Sequence, residues 1–177
     1  MAEHNTDAGA VRRMISADLD MVLSWRNHPE VRRWMYTQHK ITPDEHQKWF
    51  ERADIESGKH LLIYEMATVP IGFVNFTQTG DGGIAEWGFY LSPGAPKGIG
   101  RKLGRAALQY AFGELRFHKV CGQALKENEK SIGLHLALGF LQEGVLREHH
   151  FDGIHYHDVV CFGLLSREWL AANRSNE

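Results

Sequence analysis

The segment SPGAPKGIGRKLG, residues 92–104, combines glycines with basic side chains just before a stretch of helical periodicity. Glycines let backbone N–H groups approach an anion closely, and a helix N-terminus adds partial positive charge. Arg101 and Lys102 fall in the first turn of the predicted helix, where each cation costs roughly 0.3–1 kcal/mol unless negative charge lies nearby. The segment therefore predicts an anion site whose candidate residues are Lys97, Gly98, Ile99, Gly100, Arg101 and Lys102.

Of three other interpretations of this segment, two remain open on its residues alone: a plain turn and a dinucleotide site. A plain glycine-rich turn with solvated basic side chains needs no ligand. A P-loop would end in Gly-Lys-Ser/Thr, which no stretch provides. A dinucleotide fingerprint comes closer with Gly98 and Gly100, but Leu103 stands where the third glycine belongs and Gly104 follows one residue late.

The elements that must position this segment form a mixed pattern of helices and short strands. Thr42, Pro43 and Glu45 predict a capped helix start, whereas period-2 runs bounded by glycines predict strands. Short connections favour antiparallel neighbours. The predicted elements are helices over 16–28, 29–35, 42–57, 103–111 and 130–138, and strands over 60–66, 71–78, 85–91, 120–125, 145–151 and 154–164.

This order predicts one α+β domain over residues 1–177, with an ordered core at about 10–170 and a mixed, mostly antiparallel central sheet flanked by helices. The polar ends, 1–9 and 171–177, are expected to fray. We expect Ser16 to cap the first helix, and Asp152-Gly153 to turn the last hairpin as a two-residue loop.

Bulk composition narrows the functional classes. A net charge of −2 on 177 residues argues against general nucleic-acid or anionic-membrane binding. No apolar run is long enough to cross a membrane, and MAEHNTDAGA lacks the apolar core of a signal peptide. Cys121 and Cys161 lie far apart without a CxxC pair, which is typical of reduced thiols. We therefore predict a cytoplasmic protein.

Two spaced motifs resemble those of the GNAT family of N-acetyltransferases. Residues 95–100, APKGIG, resemble the family pattern Gln/Arg-x-x-Gly-x-Gly/Ala, except that Ala95 replaces Gln/Arg. Residues 128–140, from Asn128-Glu129-Lys130-Ser131 to Leu138-Gly139-Phe140, resemble the family's Asn-x-x-Ala/Ser…Leu-Gly-Phe segment. The resemblance spans about 14–165 and implies the GNAT fold, acetyl-CoA as co-substrate, and its pyrophosphate as the anion.

The resemblance also implies roles for individual residues. Glu86 would accept the proton of the attacking amine, and its apolar strand would suit that task near neutral pH. His135 stands where many relatives carry a tyrosine that protonates the departing thiolate, and a histidine is an adequate acid near neutrality. A packed structural histidine is the alternative. Other residues implied to contact the coenzyme are Phe89, Tyr90, Leu91, Asn128 and Ser131.

The N-terminal third indicates the acceptor. Residues 25–27, 31–35, 41 and 45–49 resemble the nucleotide-sugar amine acetyltransferases of pseudaminic acid biosynthesis, which implies the 4-amino group of a UDP-linked amino-dideoxy sugar. Ribosomal-protein N-terminal and spermidine acetyltransferases share a weaker version of this pattern, and a non-catalytic CoA-binding module is a remote alternative. The candidate acceptor residues are Arg26, Asn27, Arg32, Met35, His46, Asn75, Thr77 and Trp87.

The last predicted hairpin carries a further polar cluster. A two-residue turn at Asp152-Gly153 would place Glu148, His150, His155 and His157 on one face, and such residues can ligate zinc. The family chemistry needs no metal, so we predict a polar face beside the substrate and no metal site. The resemblance to the family also allows for a homodimer.

Overall fold

The computed structural model describes residues 9–174. The predicted fraying of residues 1–8 and 175–177 lies outside the described residues. The strands are β1 (Ala10–Arg13), β2 (Lys59–Met66), β3 (Val69–Gln78), β4 (Ile84–Leu91), β5 (Lys119–Leu125), β6 (Leu141–Phe151) and β7 (Tyr156–Leu165). The helices are α1 (Leu19–Asn27), α2 (Pro29–Arg32), α3 (Pro43–Ile55), α4 (Ile99–Gly113), α5 (Glu129–Ala137) and α6 (Ser166–Arg174).

One seven-stranded sheet organises these elements, in the order β1-β2-β3-β4-β5-β7-β6. The β4–β5 pair is parallel, and the other neighbouring pairs are antiparallel. The parallel pair requires a crossover, which α4 supplies, whereas short turns join the antiparallel pairs β2–β3, β3–β4 and β6–β7. This arrangement confirms the predicted α+β fold with a mixed, mostly antiparallel sheet.

Helices cover the sheet because each has an apolar face to bury. The α4 helix buries residues such as Leu103, Ala107 and Leu108 in the larger core cluster. A smaller cluster includes Val22 of α1 and Phe73 of β3. Burying each large apolar side chain contributes about 1.5–3 kcal/mol, so the packing holds α1, α3 and α4 against the sheet.

The centre of the sheet opens between β4 and β5. These strands pair only at Ile84–Lys119, Ala85–Val120 and Glu86–Cys121. In contrast, β3 and β4 pair from Gly72–Leu91 to Gln78–Ala85 without a register shift. Beyond Glu86 the two central strands therefore diverge, and a cleft opens in the middle of the sheet.

The N-terminal helix predictions are correct in part. Thr42 and Glu45 form the predicted capping box, with Glu45 N donating to Thr42 Oγ1 over 3.2 Å and Thr42 N to Glu45 Oε2 over 2.7 Å. Ser16 does not cap α1; it begins a short 3-10 turn, Ser16–Asp18. The Asp18 carboxylate closes that turn by accepting the Ile15 N–H at 2.9 Å.

Two elements near the chain ends were not predicted, β1 and α6, and the last residues of α6 lie where fraying was expected. The short polar strand β1 pairs with β2, and Arg12 stabilises it by binding Asp18 and Glu65. At the other end, α6 continues to Arg174 because Trp169 is buried against Phe112. Both elements depend on contacts with distant residues, which explains why local composition failed to predict them.

The predicted turn of the last hairpin is wrong. Phe151 pairs with Tyr156 and His150 with His157, so the loop has four residues rather than two. Asp152 closes the longer loop, because its Oδ1 accepts the N–H groups of Ile154 and His155, each at 2.7 Å. The expected face of three histidines and one glutamate does not form. Among residues 9–174, no group of acidic, histidine and cysteine side chains is arranged to hold a metal.

Candidate active site

The predicted anion site lies at the N-terminus of α4. Gly98 is the N-cap residue and has φ +87°, a left-handed conformation that favours glycine. The first-turn N–H groups of a helix point outwards without helical partners. Lys97 and Arg101 are exposed beside them, so backbone donors and cations face the same space, as a pyrophosphate requires.

Replacing Gly98 with valine should weaken CoA binding on the order of 100-fold, because the side chain strains the left-handed backbone and occupies the anion's approach. Gly94 is the matched control, since it also has positive φ and open space around it. Gly94→Val should carry similar strain but change CoA affinity less than about threefold. Calorimetric titration with CoA measures both affinities, and equal losses in the two variants would refute this location of the site.

Two cavities meet where the strands diverge. The splay cavity, about 450 Å³, lies between β4 and β5, and its lining includes six predicted site residues: Met35, Glu86, Trp87, Phe89, Asn128 and Ser131. The helix-side cavity, about 930 Å³, lies between α1–α3 and strands β3–β4, and its lining includes Arg26, Met35, His46, Asn75, Phe89 and Tyr90. Met35, Gly88 and Phe89 line both cavities.

Glu86 occupies the last paired rung before the strands separate. It is exposed, and its carboxylate lies near enough to Tyr36, Cys121 and Cys161 to contribute to the raised pKa of each, for which burial is the main cause. The other carboxylate of the splay cavity, Glu143, is bound to Lys119 Nζ at 2.6 and 2.8 Å. Glu86 is therefore the carboxylate of this cavity that is placed to take a proton.

The helix-side cavity holds buried polar atoms that lack a partner. Arg26 Nη2 donates to Thr37 O over 3.0 Å, but Nη1 is buried without a hydrogen bond. His46 is 5% exposed and stacks on Trp49, and its Nε2 also lacks a partner. Burial lowers the pKa of His46, which keeps the ring neutral at pH 7. Unsatisfied buried donors and acceptors are costly, and a polar ligand would satisfy them.

Asn75 lies directly over the point where the two cavities meet. It pairs in register with Gly88, and its Oδ1 would be 2.7 Å from a Cβ at that position. Only glycine leaves room there for the carboxamide. The predicted acceptor residue Asn75 is thus brought to the centre of the site.

His135 does not face either cavity, and the structure argues against its predicted role as a proton donor. The ring is 1% exposed. Its Nε2 accepts the indole N–H of Trp87 at 3.1 Å, and its Nδ1 donates to Ser131 O at 2.8 Å. Both nitrogens are therefore engaged within the protein. Burial lowers the pKa of His135, so the ring is neutral and has no spare proton.

Several other predicted acceptor residues contact groups within the protein or lie outside the two cavities. Asn27 exchanges two 2.8 Å hydrogen bonds with the backbone of Ile41. Arg32 and Thr77 lie outside both cavities. Trp87 touches the splay cavity, but it is 7% exposed and stacks on Phe140 in the core. Asn27 and Trp87 therefore help to hold the site together, whereas Arg32 and Thr77 do not line it.

The sequence interpretation missed Tyr36 and Gln123. Tyr36 Oη donates to Gln123 Oε1 over 2.7 Å, and its ring lies 4.9 Å from His150. This contact connects the segment after α2 with β5 and the β6–β7 hairpin across the mouth of the splay cavity. No local sequence motif predicts this contact, because the two partners are 87 positions apart.

Acid should destabilise the protein through its buried histidines. The folded-state pKa values of His46 and His135 are lowered, so below about pH 6.5 the unfolded chain binds protons that the folded chain rejects. His157 opposes this trend, because Asp152 raises its pKa. Urea unfolding should show the unfolding free energy falling by about 1–3 kcal/mol from pH 7.5 to 5.5. His135→Gln should make that decline shallower, and an unchanged slope would contradict this origin.

Comparison with known proteins identifies the class. The Acetyltransferase (GNAT) domain family matches residues 10–141. The chain belongs to this family of N-acetyltransferases, and its co-substrate is acetyl-CoA. Residues 97–102 at the N-terminus of α4 (the α4 cradle) carry the backbone donors and cations where the pyrophosphate is predicted to bind. The opened β4–β5 pair leaves strand edges unpaired, where the pantetheine arm is predicted to lie.

The chain is similar to several acetyltransferases. It is 28% identical to acetyltransferase PseH of Campylobacter jejuni over 68% of this chain and 74% of that protein. It is 34% identical to the putative ribosomal N-acetyltransferase YdaF of Bacillus subtilis over 73% of this chain and 69% of that protein. The spermidine N-acetyltransferase of Vibrio cholerae, solved with CoA and spermine, matches with TM-score 0.86 and 25% identity over 92% of this chain and 98% of that one.

No helix among residues 9–174 is long and apolar enough to cross a membrane.

Proposed function

We propose that this acetyltransferase acetylates the 4-amino group of a UDP-linked amino-dideoxy sugar, as in pseudaminic acid biosynthesis. The observation that carries the proposal is the pair of buried, unpartnered atoms in the helix-side cavity, Arg26 Nη1 and His46 Nε2. A guanidinium is a strong bidentate donor to phosphate oxygens. Arg26 Nη1 can donate to a diphosphate oxygen. The neutral His46 ring, which donates to the Leu19 backbone, leaves Nε2 as an acceptor for a hydroxyl or N–H group of the nucleotide sugar.

The size and walls of the helix-side cavity also suit a nucleotide. Its volume of about 930 Å³ lies near the upper end of small-molecule sites. Trp49, Phe73 and Tyr90 supply aromatic surface in its lining, on which a base or sugar can pack. The similarity to acetyltransferase PseH agrees with the resemblance of the N-terminal third to the enzymes of pseudaminic acid biosynthesis.

The charge of this cavity does not favour a polyamine. Its lining carries three cationic and two acidic side chains, Arg26, Lys48, Arg52, Glu45 and Glu51. One of the cations, Lys48, is paired with Asp44 at 2.7 Å. The cavity therefore has no excess of negative charge to hold a polycation.

The reaction would proceed by direct attack of the amine on the thioester carbonyl: the C–N bond forms, the C–S bond breaks, and CoA leaves as a thiolate that takes a proton from water. Glu86 accepts the proton that the amine must lose, directly or through water. Acetyl-CoA, held at the α4 cradle, supplies the acyl group. Backbone N–H groups of β4 beyond Glu86 that face the diverged β5 would polarise the thioester oxygen.

A polyamine or peptide amine is the second candidate acceptor, favoured by one observation. The two charged side chains that line the splay cavity, Glu86 and Glu143, are both carboxylates. The structural relative from Vibrio cholerae was solved with spermine. Because Glu143 is paired with Lys119, the splay cavity offers a cation one free carboxylate, less than a polyamine chain requires.

The test is release of free CoA thiol from acetyl-CoA with a panel of acceptors: a UDP-4-amino-4,6-dideoxy sugar, spermidine, and peptides beginning with the N-termini of ribosomal proteins. We expect thiol release with the nucleotide sugar and a product one acetyl group heavier by mass spectrometry. UDP alone should inhibit competitively against the sugar. Turnover with only spermidine or peptide would overturn the nucleotide-sugar assignment, and CoA binding without turnover of any amine would favour a non-catalytic module.

A further inference from the structure

A buried hydrogen bond crosses the protein just where the central strands part. Trp87 and Gly122 are the first residues beyond the last β4–β5 rung, Glu86–Cys121. The Trp87 indole N–H can only donate, so the 3.1 Å contact makes His135 Nε2 the acceptor. The ring proton then lies on Nδ1 and is donated to the carbonyl of Ser131. One imidazole thus connects β4 with α5.

The same imidazole lies against β5. A Cβ on Gly122 would collide with His135 Nε2 and come within 2.7 Å of Trp87 Nε1. The Trp87–His135 pair therefore fills the space that a side chain on β5 would need. Behind it, the imidazole stacks on Phe162 of β7 at 4.6 Å. The pair is a buried wedge between the diverging strands.

His135 reaches the active site only through its partners. Trp87, Gly122 and Ser131 all line the splay cavity, whereas His135 does not. Asn128, which also lines this cavity, caps α5 by accepting the Ser131 N–H at 3.2 Å. Moving the imidazole would shift the two strands and the α5 N-terminus together.

We propose that His135 is a positioning residue: with Trp87 and Gly122 it sets the separation of β4 and β5, and so the width of the cleft that receives the arm of acetyl-CoA. The imidazole maintains this strand separation through its two hydrogen bonds and stays neutral while it does so. This inference concerns the coenzyme side and is independent of the acceptor proposed above.

Binding of CoA, measured by calorimetry without any acceptor, tests the proposal. His135→Phe keeps a ring but leaves the Trp87 N–H buried without a partner, and should weaken CoA binding about tenfold. His135→Gln places an acceptor oxygen near the position of Nε2 and should stay within about threefold of the wild type. His60→Phe is the control, since His60 is a half-buried histidine packed on Phe117, away from both cavities.

A double-mutant cycle distinguishes a direct interaction between Trp87 and His135 from a general loss of structure. Trp87→Phe should weaken CoA binding about as much as His135→Phe, and the double variant should bind no worse than either, because one hydrogen bond is lost in each case. Fully additive losses would overturn the proposal. So would equal damage by His135→Gln and His135→Phe.

The pH profile distinguishes positioning from proton donation. The profile of kcat against pH is measured with any acceptor that supports the release of CoA thiol. In this profile, His135→Gln should keep the same alkaline limb as the wild type. Loss of that limb in both His135 variants, with CoA affinity unchanged, would restore the proton-donor role. If circular dichroism shows that His135→Phe does not fold, the NMR resonance of the Trp87 indole N–H provides the test instead. This resonance should keep its position in His135→Gln. A shift to the position of a free indole would refute the wedge.

Discussion

Replacing Glu86 with glutamine should lower kcat on the order of 100- to 1,000-fold while leaving CoA affinity within about threefold. The acceptor amine is protonated at neutral pH, and removal of its proton by a positioned base contributes rate enhancements of this size. Glutamine has the same shape but accepts no proton. Steady-state thiol release with the best acceptor of the panel, together with CoA titration, measures the two effects.

Glu143→Gln is the matched control for Glu86→Gln. Glu143 lines the same cavity, but Lys119 binds both of its carboxylate oxygens. Its loss should change kcat less than about threefold, since an ion-paired carboxylate on the protein's surface is a poor base and contributes little. Equal losses of kcat in the two variants would show that cavity charge matters rather than a base at Glu86.

Arg26→Leu should raise KM for the nucleotide sugar roughly 10- to 150-fold, because a hydrogen bond to a charged group contributes about 1.5–3 kcal/mol. The KM for acetyl-CoA should not change, since Arg26 lies in the helix-side cavity and away from the α4 cradle. Arg26→Lys should recover only part of the loss, because an ammonium lacks the planar fork of the guanidinium. Initial rates at varied concentrations of each substrate measure both constants.

Arg32→Leu provides the control for Arg26→Leu. Arg32 is a neighbouring arginine on α2 that lies outside both cavities. Its replacement should leave the KM for the nucleotide sugar within about twofold. A rise in KM as large as that of Arg26→Leu would mean that overall positive charge, rather than a diphosphate contact, recruits the acceptor. No change in either variant would refute the proposed diphosphate site.

The predicted site residues that the structure places where the sequence suggested are those whose geometry is local. Gly98 has the left-handed backbone that the glycine-rich segment required, and the cradle residues follow it within one helical turn. Glu86 was assigned from its place on the strand before the cradle, and the structure brings it to the mouth of the cleft. In each case the information lies within a few residues along the chain.

His135, Trp87 and Tyr36 show where sequence patterns were insufficient. A histidine in a family position normally held by tyrosine predicts an acid, but the ring's environment comes from Trp87 and Phe162, which are distant in sequence. Tyr36 belongs to no motif and enters the site through Gln123. Which atoms a side chain meets depends on packing between elements.

The capped start of α3, the meander β2-β3-β4 and the glycine-rich segment before α4 could be predicted from sequence alone, because capping, period-2 patterning and glycine flexibility act over a few residues. The tertiary structure was needed to show where β4 and β5 part, which arginine enters a cavity, and how the last hairpin pairs. Those features depend on register and packing between distant segments, where a shift of one or two residues moves a side chain from one surface to another.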